Sequence, residues 1–168
     1  MSLTSYPPTG IKRWFFRAPV WVYRARLGFL FGNRMLYLVT RGRRTGQPRE
    51  AVLEATRHNS LAGLVIVISG WGDRADWFRN LQAGRAVEIR IGGRRIPSPQ
   101  HRLLDTDQIA LVLEQYARDR PWSWRSFAKS MGLSPTPTRP QLDEAASRLR
   151  AVAFGLPTRS TPRWHYPD

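Results

Sequence analysis

Leu64-Val65-Ile66-Val67-Ile68 constrains the fold more than any other stretch of this chain, because it is an unbroken apolar run in which only the first residue is not β-branched. A strand with one wet face alternates apolar and polar residues, whereas a continuous run is covered on both faces. The run therefore predicts a central strand with further layers above and below it. Met35-Leu36-Tyr37-Leu38-Val39-Thr40 and Glu50 to Thr56 predict a hairpin before it. After it, Val87-Glu88-Ile89-Arg90-Ile91 alternates with period two, and Gly92-Gly93 turns the chain into a return strand, Arg94 to Leu103, placed at an edge by Pro97 and Pro99. Ala151 to Leu156 supplies the last strand. About six antiparallel strands, mostly in hairpins, leave two unpaired edges unless the sheet closes, so the pattern predicts an α+β protein built on a β-barrel with peripheral helices.

Helical periodicity fills the remainder. Asp76 is placed to cap a short helix carrying Trp77, Phe78 and Leu81, with Gly84 as its stop. Asp105 and Gln108 have capping-box spacing ahead of Ile109, Val112, Leu113 and Tyr116, an amphipathic stripe. Pro121-Trp122-Ser123-Trp124 opens a segment that stops near Gly132, and Leu142, Ala145, Ala146 and Leu149 form a stripe after a proline-rich link. Ahead of the strands, Ile11, Trp14, Phe15, Ala18 and Val22 recur at helical spacing, interrupted at Pro19. Residues 1–168 read as one domain: an N-terminal helical segment (1–34), the main barrel strands (35–103), helices and a last strand (104–156), and a loose tail (157–168).

Charge narrows the partners. Lys and Arg total 27 against 12 Asp and Glu, a net charge of +15. Such an excess attracts nucleic acid, an anionic membrane face or an acidic small molecule. Lys12 and Lys129 are the only lysines, so the excess is almost wholly arginine, suited to planar recognition of phosphate and carboxylate. With no cysteine there is no disulfide, thiolate nucleophile or cysteine-bound metal, which accords with a cytoplasmic protein. No signal peptide is expected. The apolar stretch from Ile11 to Phe31 is broken by five basic residues and would not cross a bilayer, although its Trp, Phe and Arg suit peripheral contact with the inner face of an anionic membrane. His58, His101 and His165 lack metal-ligand spacing, and Ser69 is not set in a hydrolase elbow.

The densest chemistry lies in Gly42-Arg43-Arg44-Thr45-Gly46-Gln47-Pro48-Arg49, where three arginines flank a glycine turn between two predicted strands. Turn amides and guanidinium forks can converge there on one anion. An ordinary soluble hairpin connection would look the same. A second glycine-bearing turn, Ser69-Gly70-Trp71-Gly72-Asp73, follows the central strand and offers backbone to a ligand.

Three stretches together, Leu38 to Gly46, Val67 to Gly72 and Asp76 to Ala83, resemble the deazaflavin (F420)-dependent nitroreductase family. The resemblance implies a split β-barrel of the FMN-binding-like kind and the coenzyme F420. It implies that Arg43, Arg44, Thr45, Gly46 and Arg49 hold the coenzyme's anionic tail, and that Ser69, Gly70, Trp71 and Gly72, with Trp77 and Asn80, cradle its ring. Thr45 stands where serine is usual, and Ala75-Asp76 where proline is common. Hydride would pass between the coenzyme and an electron-poor acceptor such as a nitro compound or a quinone. Tyr116, Trp122 and Trp124 are candidate walls of the acceptor pocket, Tyr116 a candidate proton donor, and a core role is open for each. A homodimer paired through a sheet face is also implied. Two rivals stay open: a nucleic-acid module that stacks bases on its tryptophans, and a barrel that binds FMN, haem or a lipid.

Overall fold

In a computed structural model, which describes residues 32–59, 61–84 and 86–157, the unbroken run forms β3 (Leu64–Ser69), the third of seven strands. The others are β1 (Met35–Arg41), β2 (Pro48–Asn59), β4 (Ala86–Ile91), β5 (Arg94–Pro97), β6 (His101–Leu103) and β7 (Arg150–Gly155). Every pairing is antiparallel, in the order β5-β4-β1-β2-β3-β7-β6. A 3₁₀ turn (Gly72–Arg74) leads into α1 (Asp76–Ala83), and α2 (Thr106–Asp119), α3 (Pro121–Met131) and α4 (Arg139–Arg148) follow β6. The expected N-terminal helix and its membrane contact lie outside the described residues, as does the tail beyond Pro157.

The return strand expected from Arg94 to Leu103 is in fact two strands, which raises the count from about six to seven. Ser98 takes a φ of 44°, a left-handed conformation that no strand continues through, and Pro99 has no amide hydrogen for a ladder. This break closes the barrel. β5 and β6 are opposite edges of the sheet, yet only residues 98–100 join them. The Ser98 amide donates to the Val87 carbonyl (2.9 Å) and the Gly155 amide to the Gln100 carbonyl (3.0 Å), so one short link is tied to both β4 and β7. Two residues apart, those tie points are within about 8 Å along the chain, and the sheet must curl until its edges nearly meet.

β2 makes the corner. Its first half, Pro48 to Glu54, pairs with β1, and after a register shift between Ala55 and Arg57 its second half pairs with β3. Such a bulge bends the strand and increases its twist, which lets one strand of 12 residues serve both halves of the barrel.

Two apolar layers explain the continuous run in β3. Val65 and Val67 point inward with Leu36, Leu38, Ile89 and Phe154, and α1 adds Trp77, Phe78 and Leu81 to that inner core. Leu64 and Ile66 point outward with Ala151 and Ala153 of β7 and are covered by α2, α3 and α4. The capping box at Asp105 forms as expected: the Gln108 amide donates to Asp105 Oδ1 at 2.8 Å and Gln108 Oε1 accepts from the Asp105 amide at 3.3 Å. The cap expected at Asp76 does not form. Ala75 occupies the cap position of α1, and Asp76 is the first helical residue.

On the outer face of β4, the nearly buried Glu88 carboxylate accepts from Arg95 and Arg90. Burial alone would push this carboxyl up, but the hydrogen bonds from Arg95 and Arg90 outweigh it and hold the group below its ordinary value of 4.5. A depressed folded value contributes stability above the unfolded value and loses it as pH falls through the folded one. Urea midpoints of the wild type should therefore exceed those of Glu88→Gln near neutral pH, and the gap should close as the pH drops below about 4.5. A gap independent of pH would exclude the carboxylate charge as its source.

Candidate functional site

The Gly42–Arg49 segment is a tight connection between β1 and β2. The Gly42 amide donates to the Gln47 carbonyl at 2.8 Å and the Gly46 amide to the Gly42 carbonyl at 2.7 Å. Gly46 has a φ of 66°, a conformation that favours glycine. Gly42 is buried, and a Cβ added there would stand 3.2 Å from both the Gln47 carbonyl oxygen and the Thr45 hydroxyl. That hydroxyl accepts from the Gln47 amide at 3.4 Å, so Thr45 shapes the turn from within.

The three arginines have different surroundings. Arg43 is drawn onto α1: its guanidinium donates to Asp76 Oδ1 at 3.0 Å and to Asn80 Oδ1 at 3.1 Å, while its backbone amide reaches the same Asn80 oxygen at 3.2 Å. Asn80 is 3% exposed and passes its own amide hydrogen to the Thr40 hydroxyl at 3.2 Å. Arg44 and Arg49 are exposed, with no side-chain partner among the described residues. The expected trio thus divides into one strut and two available forks.

Asn80, expected beside the ring, is the pin between the Gly42–Arg49 turn and α1. Thr40 completes that seam and was not legible as functional, since nothing marks a strand-end threonine beneath a turn. Asp76 stood out only as a cap. An acidic residue one helical turn before an asparagine could have signalled a pair of acceptors on one face of α1.

The second turn is also internally braced. The buried Ser69 hydroxyl donates to the Gly72 carbonyl at 2.7 Å. Gly72 has a φ of 58°, and an added Cβ would be 2.8 Å from the Arg148 carbonyl oxygen. Gly70 differs: the nearest atom to its missing Cβ is Met131 Sδ at 4.0 Å, leaving room for a flat ligand to approach the backbone. Trp71 is half-buried against the inner core. Trp77 lies within that core, edge-on to Phe78 with ring centres 5.8 Å apart, so it supports the site from behind. α1 connects the two turns, because it follows Gly72–Arg74 directly and carries the partners of Arg43.

Of the three aromatics expected around an acceptor, Tyr116 and Trp124 lie in the core and Trp122 lies on the surface. Tyr116 is fully buried among α2, α3 and β2 and donates to Glu54 Oε1 at 2.7 Å. Burial first, and then the Glu54 carboxylate, push its phenol well above the ordinary value, so it keeps its proton. Trp124 packs edge-on against it at 6.0 Å and donates through Nε1 to the Pro135 carbonyl at 2.9 Å. Both are core residues here. Trp122 is 81% exposed, with the Arg125 guanidinium 5.2 Å above its ring.

A curled antiparallel sheet with an arginine-bearing turn joined by one helix to an open glycine turn defines a split-barrel protein. The chain belongs to the F420H(2)-dependent quinone reductase family, whose profile matches residues 14–127. It is accordingly an F420-dependent oxidoreductase with a split β-barrel fold. No curated protein matches the chain. Among solved structures it is similar to an F420-H2 dependent reductase (FDR-A), at 16% identity over 73% of this chain and 95% of that one, with a TM-score of 0.43. It is also similar to a Clostridium acetobutylicum protein related to general stress protein 26 of B. subtilis, of the pyridoxinephosphate oxidase family. That match has 9% identity over 82% and 84% of the two chains and a TM-score of 0.43.

The residues present fit such a coenzyme. Two guanidinium groups without a side-chain partner among the described residues suit an anionic tail, and the open flank of Gly70 suits a ring. Among the described residues no helix is long and apolar enough to cross a membrane.

Proposed function

We propose that this protein reduces an electron-poor organic acceptor of the quinone type with reduced F420. Arg44 and Arg49 hold the acidic tail, and the ring rests against the backbone from Ser69 to Gly72. When bound, the coenzyme supplies the electron pair as a hydride equivalent. The chain itself binds, orients and excludes water. Arg43 fixes the turn to α1, Ser69 fixes the second turn, and the buried Trp77 and Phe78 keep the connecting helix from shifting. Among the described residues no side chain near the two turns is arranged as a triad. The reading rests on one observation: two forked cations have no side-chain partner among the described residues, on a turn whose third arginine is tied to Asp76 and Asn80.

The rival reading as a nucleic-acid module calls for a continuous basic face. Arg43, Arg90, Arg95, Arg139 and Arg148 are instead each paired with a carboxylate, spread over the β1–β2 turn, β4, β5 and α4. The two readings are separated by anaerobic mixing of the full chain with reduced F420 and either a soluble quinone or a nitroarene. Catalysed coenzyme oxidation is expected with the quinone. Failure with every acceptor, together with retention on single-stranded nucleic acid at low salt, would favour the rival.

A further inference from the structure

Asp76 is an acidic residue set against the arginine-bearing turn. Its carboxylate is 79% exposed yet lies 3.0 Å from the Arg43 guanidinium, which is itself only 25% exposed. Arg43 does not need this contact to stay in place, because Asn80 accepts from both its backbone amide and its side chain. An exposed ion pair adds little to stability, so the carboxylate is hard to explain as a structural brace. Its field, however, reaches the neighbouring turn, since screening at physiological salt acts over about 8 Å.

We propose that Asp76 is a selectivity element of the anion turn. It neutralises Arg43 and leaves Arg44 and Arg49 as the working pair. A compact polyanion that would collapse onto all three arginines therefore meets one cation already answered and one carboxylate in its way. An acidic arm that needs only two forks is admitted. The inference rests on the reading of this turn as the grip for the coenzyme tail, and it adds a residue that repels rather than attracts.

The test uses inorganic pyrophosphate as the compact probe, titrated calorimetrically into the full-length wild type, Asp76→Asn, Arg43→Gln and Arg44→Gln at low and at moderate salt. Asparagine keeps an oxygen for Arg43 and removes only the charge. Asp76→Asn is expected to bind pyrophosphate about threefold to tenfold more tightly at low salt, with the advantage shrinking as salt rises. Its melting temperature should stay within a few degrees of the wild type. Arg43→Gln is expected to change binding less than about threefold, and Arg44→Gln to weaken it about tenfold.

Equal or weaker binding by Asp76→Asn, an advantage that ignores salt, or no binding by either protein would overturn the proposal. So would an Arg43→Gln loss as large as that of Arg44→Gln. Separate titration with F420 keeps the two readings apart. If pyrophosphate behaves as described and F420 does not bind, the coenzyme assignment fails while the role of Asp76 stands.

Discussion

Replacing Arg44 and Arg49 together by alanine should weaken F420 binding by about 100-fold or more while leaving the melting temperature within a few degrees of the wild type. Hydrogen bonds to charged groups contribute about 1.5–3 kcal/mol each, and each factor of ten needs about 1.4 kcal/mol, so losing two such contacts gives at least that effect. Stability should hardly move, because both side chains are exposed and neither has a partner among the described residues. Wild-type affinity should also fall with salt, and the double variant should lose most of that dependence. Equilibrium fluorescence titration of the coenzyme measures both. Arg43→Ala should behave differently, with a drop in melting temperature, since it removes the side-chain bonds to Asn80 and Asp76 and leaves only the backbone amide to tie the turn to α1.

The second large effect is on the fold. Trp124→Ala should destabilise the protein by about 3–5 kcal/mol, the range for removing a large aromatic from a core. Trp124 is 1% exposed, touches Tyr116 and Phe127, and loses its Nε1 bond to the Pro135 carbonyl when truncated. Against a usual total of about 5–15 kcal/mol this is a large fraction, and chemical denaturation should show it directly. Below its own unfolding transition the variant should still bind F420 with near wild-type affinity. Loss of coenzyme affinity at unchanged stability would instead return Trp124 to the pocket.

What was legible in the sequence was what depends on local pattern. The unbroken apolar run announced a strand covered on both faces, and β3 is covered by the inner core on one side and three helices on the other. Asp105 and Gln108 announced their capping box because both partners sit within one turn. The arginine turn was legible as a tight connection between two strands because its glycines mark such a turn from local sequence alone.

What was illegible depends on partners far apart in the chain. The ion pair between Arg43 and Asp76 spans 33 residues, and no local rule distinguishes that aspartate from a helix cap. The split of Arg94 to Leu103 into two edges was half visible in Pro97 and Pro99, but that the link sews the barrel shut follows only from its bonds to Val87 and Gly155. Tyr116 was readable as a core residue. Its spacing with Ile109, Val112 and Leu113 put it on the buried stripe of α2, and that periodicity outweighed its appeal as a proton donor.

Amide hydrogen exchange on the full chain, with and without saturating oxidised F420, tests most directly whether the tail lies on one turn and the ring on the other. Slowed exchange is expected within residues 42–49 and within 69–75, two segments separated in sequence and joined by α1. Coenzyme that binds while both segments exchange at the free rate, with protection confined to α2 and α3, would contradict the account.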